Sequence, residues 1–303
     1  MSRTESIKPG LYERFWAAVV PSLIRTARRL PPRLGVGLMI TAGVGQALVD
    51  SRRLRRVFCW ASAHRSGLWR RSVTAGALLA NRGRFLAWAT GIGNSNPHVL
   101  RKSIVIEGRG RLDDALASGG VLLVAFHLGP GPVAQPLAMF GYRVVAGRAG
   151  ARFSVPDPPA GWQGLPPPTI VTWTDVASRA TGLHQMARAL RGGSLVILTA
   201  DTPYDGRVEF LMPLPGRTVA VRSGWFTLRR LTGAPTFLIL QHRDGDSRVI
   251  RVHDALPHPV ADVQRDREAC QAYLSGALRE YIAAYPEQCT TLALWLERPE
   301  ELA

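Results

Sequence analysis

The sequence predicts an α/β protein with a mostly parallel sheet flanked by helices, preceded by basic amphipathic N-terminal helices. Three observations lead to this prediction: the composition, the alternation of apolar runs with helical patterns after Glu107, and an arginine-rich first third. The chain has 303 residues, 46% of them hydrophobic, and a mean hydropathy of +0.02. This is the composition of a folded globular protein that can bury a core.

Basic residues are concentrated at the beginning of the chain. Of the 38 Lys and Arg residues, 19 lie within residues 1–110 against four acidic residues, so this part carries +15 of the total charge of +16. Almost all of them are arginines, which make bidentate contacts with phosphate. We therefore expect a polyanionic partner. The division of charge predicts a helical, membrane-apposed region over residues 1–100 and an α/β domain over residues 101–303.

Two apolar stretches, residues 11–24 and 34–49, are bracketed by arginine clusters. The second stretch has 16 residues and several glycines, which is short for a helix that spans a bilayer, and no signal-peptide cleavage site follows it. We expect helices in the interface of an anionic membrane, on its cytoplasmic face, with Phe15 and Trp16 at headgroup level. Ordinary helices packed on the core are the alternative. No DNA-binding motif accompanies the arginines, so DNA is not an expected partner and tRNA is a minor alternative.

After Glu107, continuous apolar runs at residues 121–126 and 194–199 are typical of buried parallel strands. Residues 176–191 have helical periodicity, and two glycines follow them. Residues 155–168 form a proline-rich loop. The remaining predicted elements are helices at residues 133–140, 223–231 and 266–285 and strands at residues 142–146, 235–241 and 249–252.

His127 directly follows the strand-forming run, in the segment His-Leu-Gly-Pro-Gly-Pro. In parallel sheets, reactive side chains lie at the carboxyl ends of strands. A neutral imidazole there can take a proton from a hydroxyl or an amine near pH 7. Gly129 and Gly131 would allow a substrate to approach the backbone, and nearby amides are candidate donors to an oxyanion or a phosphate. A capped or solvent-facing histidine is the alternative interpretation.

Five segments follow one another in a characteristic order. They are GGVLLVAFHLGP, VVAGRAG, GGSLVILTADTPYDG, EFLMPLPGRTVAVRSGWFTLRRLTGAP and IAAYPEQCTTLALW. This series resembles the lauroyl/myristoyl lipid A acyltransferases and the related phosphatidylinositol mannoside acyltransferases of the lysophospholipid acyltransferase superfamily. With the basic N-terminal helices, the resemblance extends over about residues 11–297.

The resemblance implies an acyltransferase-like fold. It also implies transfer of an acyl group from a thioester, on an acyl carrier protein or coenzyme A, to a hydroxyl or amine acceptor that is lipid-linked. No metal or tightly held cofactor is implied. The residues that the resemblance assigns to the site are catalytic His127 and Asp201, and substrate-binding Gly129, Gly131, Arg148, Gly216 and Arg217.

Pro132 departs from the family pattern, because it stands where the family has an Asp or Glu that orients the histidine. Three interpretations remain open. In the first, Asp201, Asp205 or water orients His127 instead. In the second, the chain acts on a more nucleophilic acceptor such as an amine, with a donor carried on an acidic protein or on RNA. In the third, the chain is an inactive relative that binds lipid or a partner. Cys289, at a family tryptophan position, is a second departure.

Overall fold

The computed structural model describes residues 11–89, 97–149, 167–173, 176–201, 210–214 and 217–294. Most of the predicted proline-rich loop, residues 155–166, lies outside the described residues. The helices are α1 Leu11–Arg29, α2 Pro32–Val49, α3 Ser51–His64, α4 Leu68–Ala89, α5 Pro97–Lys102, α6 Arg109–Ser118, α7 Ala134–Met139, α8 Val176–Arg191, α9 Gly224–Thr232, α10 Val263–Ala284 and α11 Thr290–Leu294, with a 3-10 turn at Pro286–Gln288. The strands are β1 Ile104–Glu107, β2 Val121–Ala125, β3 Val144–Ala149, β4 Thr169–Trp173, β5 Leu195–Thr199, β6 Phe210–Leu214, β7 Arg217–Val221, β8 Thr236–Asp244 and β9 Ser247–Ala255.

Seven strands form one sheet in the order β1-β9-β8-β2-β5-β3-β4, and β6 pairs with β7 in a separate antiparallel hairpin. In the large sheet five strand pairs are parallel, and β8 and β9 are antiparallel. The predicted α/β class with a mostly parallel sheet is therefore confirmed. β2 lies at the centre of the sheet with all five residues buried, as its continuous apolar run predicts.

The antiparallel pair follows from local turn chemistry. Only Gly245 and Asp246 separate β8 from β9, and Gly245 has a φ of +55°. A two-residue connection of this kind forces consecutive strands into a hairpin. Both strands are longer than predicted from sequence. The sequence analysis also missed the short edge strands β1 and β4 and the hairpin of β6 and β7.

The N-terminal helices pack against the sheet. Trp60 of α3 and Leu78 of α4 belong to the same buried core cluster as Leu122 of β2 and Leu198 of β5. The core is therefore continuous across residue 100, where the two regions were predicted to meet. Among the described helices, α2 alone is long and apolar enough to cross a membrane, and 22% of it is buried.

Two of the N-terminal helices, α2 and α4, touch through glycine. A Cβ atom at Gly83 of α4 would lie 2.4 Å from the Cα of Ile40 and 2.4 Å from the carbonyl oxygen of Met39. Both of these atoms belong to the backbone of α2, which cannot move aside like a flexible side chain. Glycine at this position therefore sets how closely the two helices approach.

We expect the substitution Gly83→Ala to destabilise the protein because the added methyl group pushes α2 away from α4. Overpacking of this kind costs about 1–3 kcal/mol, which exceeds the gain of up to about 1 kcal/mol from removing a helical glycine. Urea unfolding measures the difference. Gly76→Ala, on the same helix with nothing within 4 Å of the added Cβ, is the matched control and should be neutral or stabilising. Equal effects of the two substitutions would contradict this account of the helix contact.

Candidate active site

His127 and Asp201 meet at the carboxyl edge of the large sheet. His127 follows β2 and Asp201 follows β5, and these parallel strands are neighbours with Ala125 opposite Thr199. The backbone N–H of His127 donates to both carboxylate oxygens of Asp201, at 3.0 Å to Oδ1 and 2.9 Å to Oδ2. The imidazole Nδ1 lies 2.9 Å from Oδ1. The sequence analysis named both residues, and the structure brings them into direct contact.

The two partners differ in exposure. Asp201 is fully buried, whereas 29% of the His127 side chain is exposed. A buried ionised carboxylate needs donors, so Nδ1 carries the proton in the neutral imidazole and donates it to Asp201. Nε2 then presents a lone pair, and no described residue hydrogen-bonds to it. The ring of Phe85, from α4, meets the imidazole edge-on with centroids 5.7 Å apart.

The pKa of His127 reflects two opposing effects. Burial lowers the pKa of the imidazole, but the charge of Asp201 and its hydrogen bond raise it by more, so the pKa lies above the usual 6.5. The imidazole therefore gains a proton at a higher pH in the folded protein than in the unfolded chain. The resulting contribution to the free energy of unfolding is complete below about pH 6.5 and is lost as the pH rises through the folded-state pKa.

The terminal segment, defined here as residues 286–291, fixes the loop that carries His127. Thr291 Oγ1 donates to the carbonyl oxygen of His127 at 2.9 Å. The amide of Gly129 donates to the carbonyl of Gln288 at 3.0 Å. In the same segment the carbonyl of Pro286 accepts a hydrogen bond from Trp60 Nε1 of α3 at 2.9 Å. The terminal segment thus connects the N-terminal helices to the loop of the candidate base.

Arg248 of β9 binds the part of the same loop that contains Gly131 and Pro132. Its Nη2 donates to the carbonyl oxygens of Gly131 at 2.9 Å and Pro132 at 2.7 Å. Its Nε donates to Gln241 Oε1 at 2.8 Å, and its guanidinium lies 4.5 Å from the ring centroid of Trp88. Burial lowers the pKa of Arg248 to about 9. Pro132 is therefore held through its backbone.

The two glycines of this loop serve the packing of the protein. A Cβ atom at Gly129 would lie 2.3 Å from the carbonyl oxygen of Gln241, and one at Gly131 would lie 2.7 Å from the Cβ of Trp88. In the direction of a Cβ atom both glycines therefore face protein atoms, and their role in substrate binding stays a prediction. Gly129 also cannot supply an oxyanion donor, since its amide is bonded to Gln288. That the amide of Gly131 donates to an oxyanion stays a prediction.

The other predicted substrate-binding residues are placed by the backbone alone. Arg148 lies in the second half of β3, at the same sheet edge as Asp201, because β3 runs parallel to β5. Arg217 is the first residue of β7. The side chains of both residues, and Gly216 and Asp205 entirely, lie outside the described residues. Their roles stay predictions. The part of the chain that the structure describes holds no group of three or more side chains suited to bind a metal.

The sequence analysis gave no role to four residues that contact His127 or its loop. They are Phe85, Arg248, Gln288 and Thr291. Each comes from an element distant in sequence from residue 127, so no local pattern could indicate its contact with the loop. The proline-glutamate-glutamine segment of the resemblance contains Gln288, and it is the sequence feature that comes closest to indicating one of these contacts.

Fold and site together define an α/β protein with a histidine–carboxylate pair at the carboxyl edge of its central strands. Neither the protein-family models nor the curated proteins with which the chain was compared match it.

We expect Asp201→Asn to lower the pKa of His127 below 6.5, because burial then acts without the opposing carboxylate charge. A pH titration of the His127 ring signal by NMR, assigned by its loss in His127→Ala, measures this change. Asp254→Asn, which removes an exposed carboxylate paired with Arg111, should leave the titration unchanged. An unaltered His127 pKa in Asp201→Asn would show that Asp201 does not set the protonation of the imidazole.

Proposed function

We propose that the protein is an acyltransferase. It moves an acyl group from a thioester, carried on an acyl carrier protein or coenzyme A, to a hydroxyl or amine of a lipid-linked acceptor at a membrane surface. The observation that carries this proposal is the 2.9 Å contact between His127 Nδ1 and Asp201, in a histidine whose side chain is 29% exposed. The resemblance of the ordered sequence segments supplies the class of reaction.

In this reaction Nε2 of His127 takes the proton of the acceptor as its oxygen or nitrogen attacks the thioester carbonyl carbon. The tetrahedral intermediate then collapses, the bond from carbon to sulfur breaks, and the thiolate leaves. The imidazolium returns the proton to the departing sulfur. Asp201 holds the ring in the required tautomer and stabilises its positive charge while the proton is held.

The contact with Asp201 supports the first of the three interpretations of Pro132. In the family pattern the acid lies on the same loop as the histidine. In this chain Asp201, which follows the neighbouring strand β5, would provide the carboxylate instead. A fully buried carboxylate that is bonded to a partly exposed imidazole favours a working base over an inactive relative. The histidine–carboxylate pair is thus rebuilt from a different element of the fold.

The surface of the N-terminal helices supports a membrane partner. Among the residues that the structure describes, eight of the twelve exposed large apolar residues lie between residues 30 and 73, although this region is a minor part of the chain. Exposed arginines lie among them, whereas acidic residues are rare there. Apolar side chains interspersed with arginines are typical of helices that bind anionic membranes. The eight residues are Leu30, Leu34, Leu48, Val49, Phe58, Leu68, Trp69 and Val73.

We expect His127→Ala to leave only residual formation of acyl products and Asp201→Asn to reduce kcat by about 10²–10⁴-fold. Mass spectrometry of products, with acyl-coenzyme A and acyl carrier protein donors and a panel of lipid, alcohol and amine acceptors, measures the activity. His184→Ala replaces an exposed histidine on α8 and should retain full activity. If the wild type makes no product with any pair while still binding acyl donor or lipid, the chain is a binding protein.

The raised pKa of His127 predicts the pH dependence of that activity. The base is the neutral imidazole, so kcat/KM should rise with pH and its ascending limb should lie above pH 6.5. In Asp201→Asn the limb should move to lower pH as the overall rate falls. A limb that stays in place in this variant would assign the titration to a different group.

We expect sedimentation with anionic vesicles to weaken when Leu68 and Trp69 are both replaced by Ser, because these side chains are 79% and 78% exposed. Binding should also fall as salt concentration rises, since screening weakens the attraction of the arginines to the lipid headgroups. Leu231→Ser, at a 63% exposed residue of α9, is the control and should bind like the wild type. Equal binding by all variants would contradict the assignment of this surface.

A further inference from the structure

Three arginines that the proposed reaction does not use lie on elements that contact His127 or the loop after it: Arg84 on α4, Arg243 on β8 and Arg248 on β9. Among the described residues, no carboxylate forms an ion pair with any of them. Arg243 of β8 and Arg248 of β9 are directly opposite each other in the hairpin. Like charges in this position destabilise a sheet, so a compensating anion would stabilise the arrangement.

The terminal segment brings Arg84 and Arg243 to the same place. Gln288 clamps the backbone of Arg243, since its Oε1 accepts from the amide at 2.7 Å and its Nε2 donates to the carbonyl at 3.0 Å. The preceding residue, Glu287, accepts through its carbonyl oxygen from Asn81 Nδ2 at 2.8 Å. Asn81 in turn accepts from Arg84 Nη1 through its Oδ1 at 2.9 Å. Two consecutive residues therefore anchor the two arginine-bearing elements.

The same contacts bring the elements that carry both arginines close to the loop of the candidate base. Phe85, next to Arg84 in the chain, meets the ring of His127. Gln288, which clamps Arg243, also binds the amide of Gly129, two residues after His127. The pKa of Arg84 is lowered by burial and by the positive charge of Arg243, so the two guanidinium groups repel each other across this space.

Glu287, which belongs to the terminal segment, does not neutralise Arg84 and Arg243. Its Oε2 lies 3.7 Å from Nη2 of Arg65, with which it forms an ion pair. Arg248 is buried and donates inward to loop carbonyls, so it adds positive potential without reaching the surface. Arg243 is exposed, and Arg84 is half-buried with one nitrogen occupied by Asn81. Both therefore keep N–H groups for an external anion.

We infer that Arg84 and Arg243 together bind a phosphate group of a substrate next to His127. Guanidinium groups match phosphate oxygens with paired N–H donors, and two of them balance the charge of a phosphate monoester. Calling the ligand a substrate rests on the proposed acyl transfer, whereas the anion site itself does not. The phosphate belongs either to the acceptor, close to the attacking hydroxyl or amine, or to the carrier of the acyl donor.

Isothermal titration calorimetry on the full chain tests this site. The probes are inorganic phosphate, glycerol 3-phosphate against glycerol, and coenzyme A against pantetheine. We expect Arg84→Gln and Arg243→Gln each to weaken binding of the phosphate-bearing probes by about tenfold or more, because each removes charge-assisted hydrogen bonds. Preference for glycerol 3-phosphate would place the phosphate on the acceptor, and preference for coenzyme A would place it on the donor.

Arg191→Gln is the matched control. Arg191 is exposed and ends α8 just before β5 begins, so it lies at the sheet edge opposite to His127. This variant should bind every probe like the wild type. Arg84→Lys and Arg243→Lys should retain part of the affinity because they keep the charge, and thermal unfolding shows which variants are folded. If one Gln variant fails to fold, the other and the Lys variants still provide the test.

The inference is overturned if the wild type binds no phosphate-bearing probe, or if both Gln variants bind as tightly as the wild type and Arg191→Gln. His127→Ala should bind the probes normally, because the site does not depend on the base. Loss of binding in Arg84→Gln with no acyl product from any protein would uphold the anion site and refute the proposed transfer. Formation of acyl product, together with unchanged phosphate binding in both Gln variants, would uphold the proposed transfer and refute the anion site.

Discussion

The buried carboxylate of Asp201 is the constraint on which the site depends. An ionised carboxylate without exposure is costly unless hydrogen bonds and an opposite charge compensate it. Here His127 supplies the hydrogen bonds through its backbone N–H and its ring, and it supplies the opposite charge when its imidazole is protonated. The compensation requires β2 and β5 to be adjacent and in parallel register, so the central sheet and the candidate base are specified together. It also fixes the tautomer that leaves the outer ring nitrogen unprotonated.

The terminal segment extends this constraint to the rest of the molecule. Successive carbonyls of Pro286, Glu287 and Gln288 accept hydrogen bonds from α3, from α4 and from the loop after His127. Helices whose exposed surface is apolar and arginine-rich are thereby bonded to the same few residues that position the base. This arrangement explains why the core is continuous between the first hundred residues and the sheet. The helices proposed to bind a membrane and the proposed base are therefore connected through the same segment.

Sequence predicted the parts of this protein whose signals are local. The continuous apolar runs predicted β2 and β5, and helical periodicity predicted α8 with the bounds observed. Edge strands such as β1 are four residues long and partly exposed, so their pattern is too weak to read. His127 was predicted because it follows a strand, and Asp201 because the resemblance assigns it to the site. Their contact, and the roles of Arg248 and Gln288, arise from residues more than 70 positions apart, which no local period encodes.

The central claim is that His127 and Asp201 act as one unit. A double-mutant cycle in kcat/KM, comparing His127→Ala, Asp201→Asn and the combined variant with the wild type, tests it most directly. Since Asp201 acts through the imidazole, removing it after His127 is gone should change nothing, and the combined variant should match His127→Ala. If Asp201→Asn lowers the rate of the His127→Ala variant as much as that of the wild type, the two residues act independently and the account is wrong.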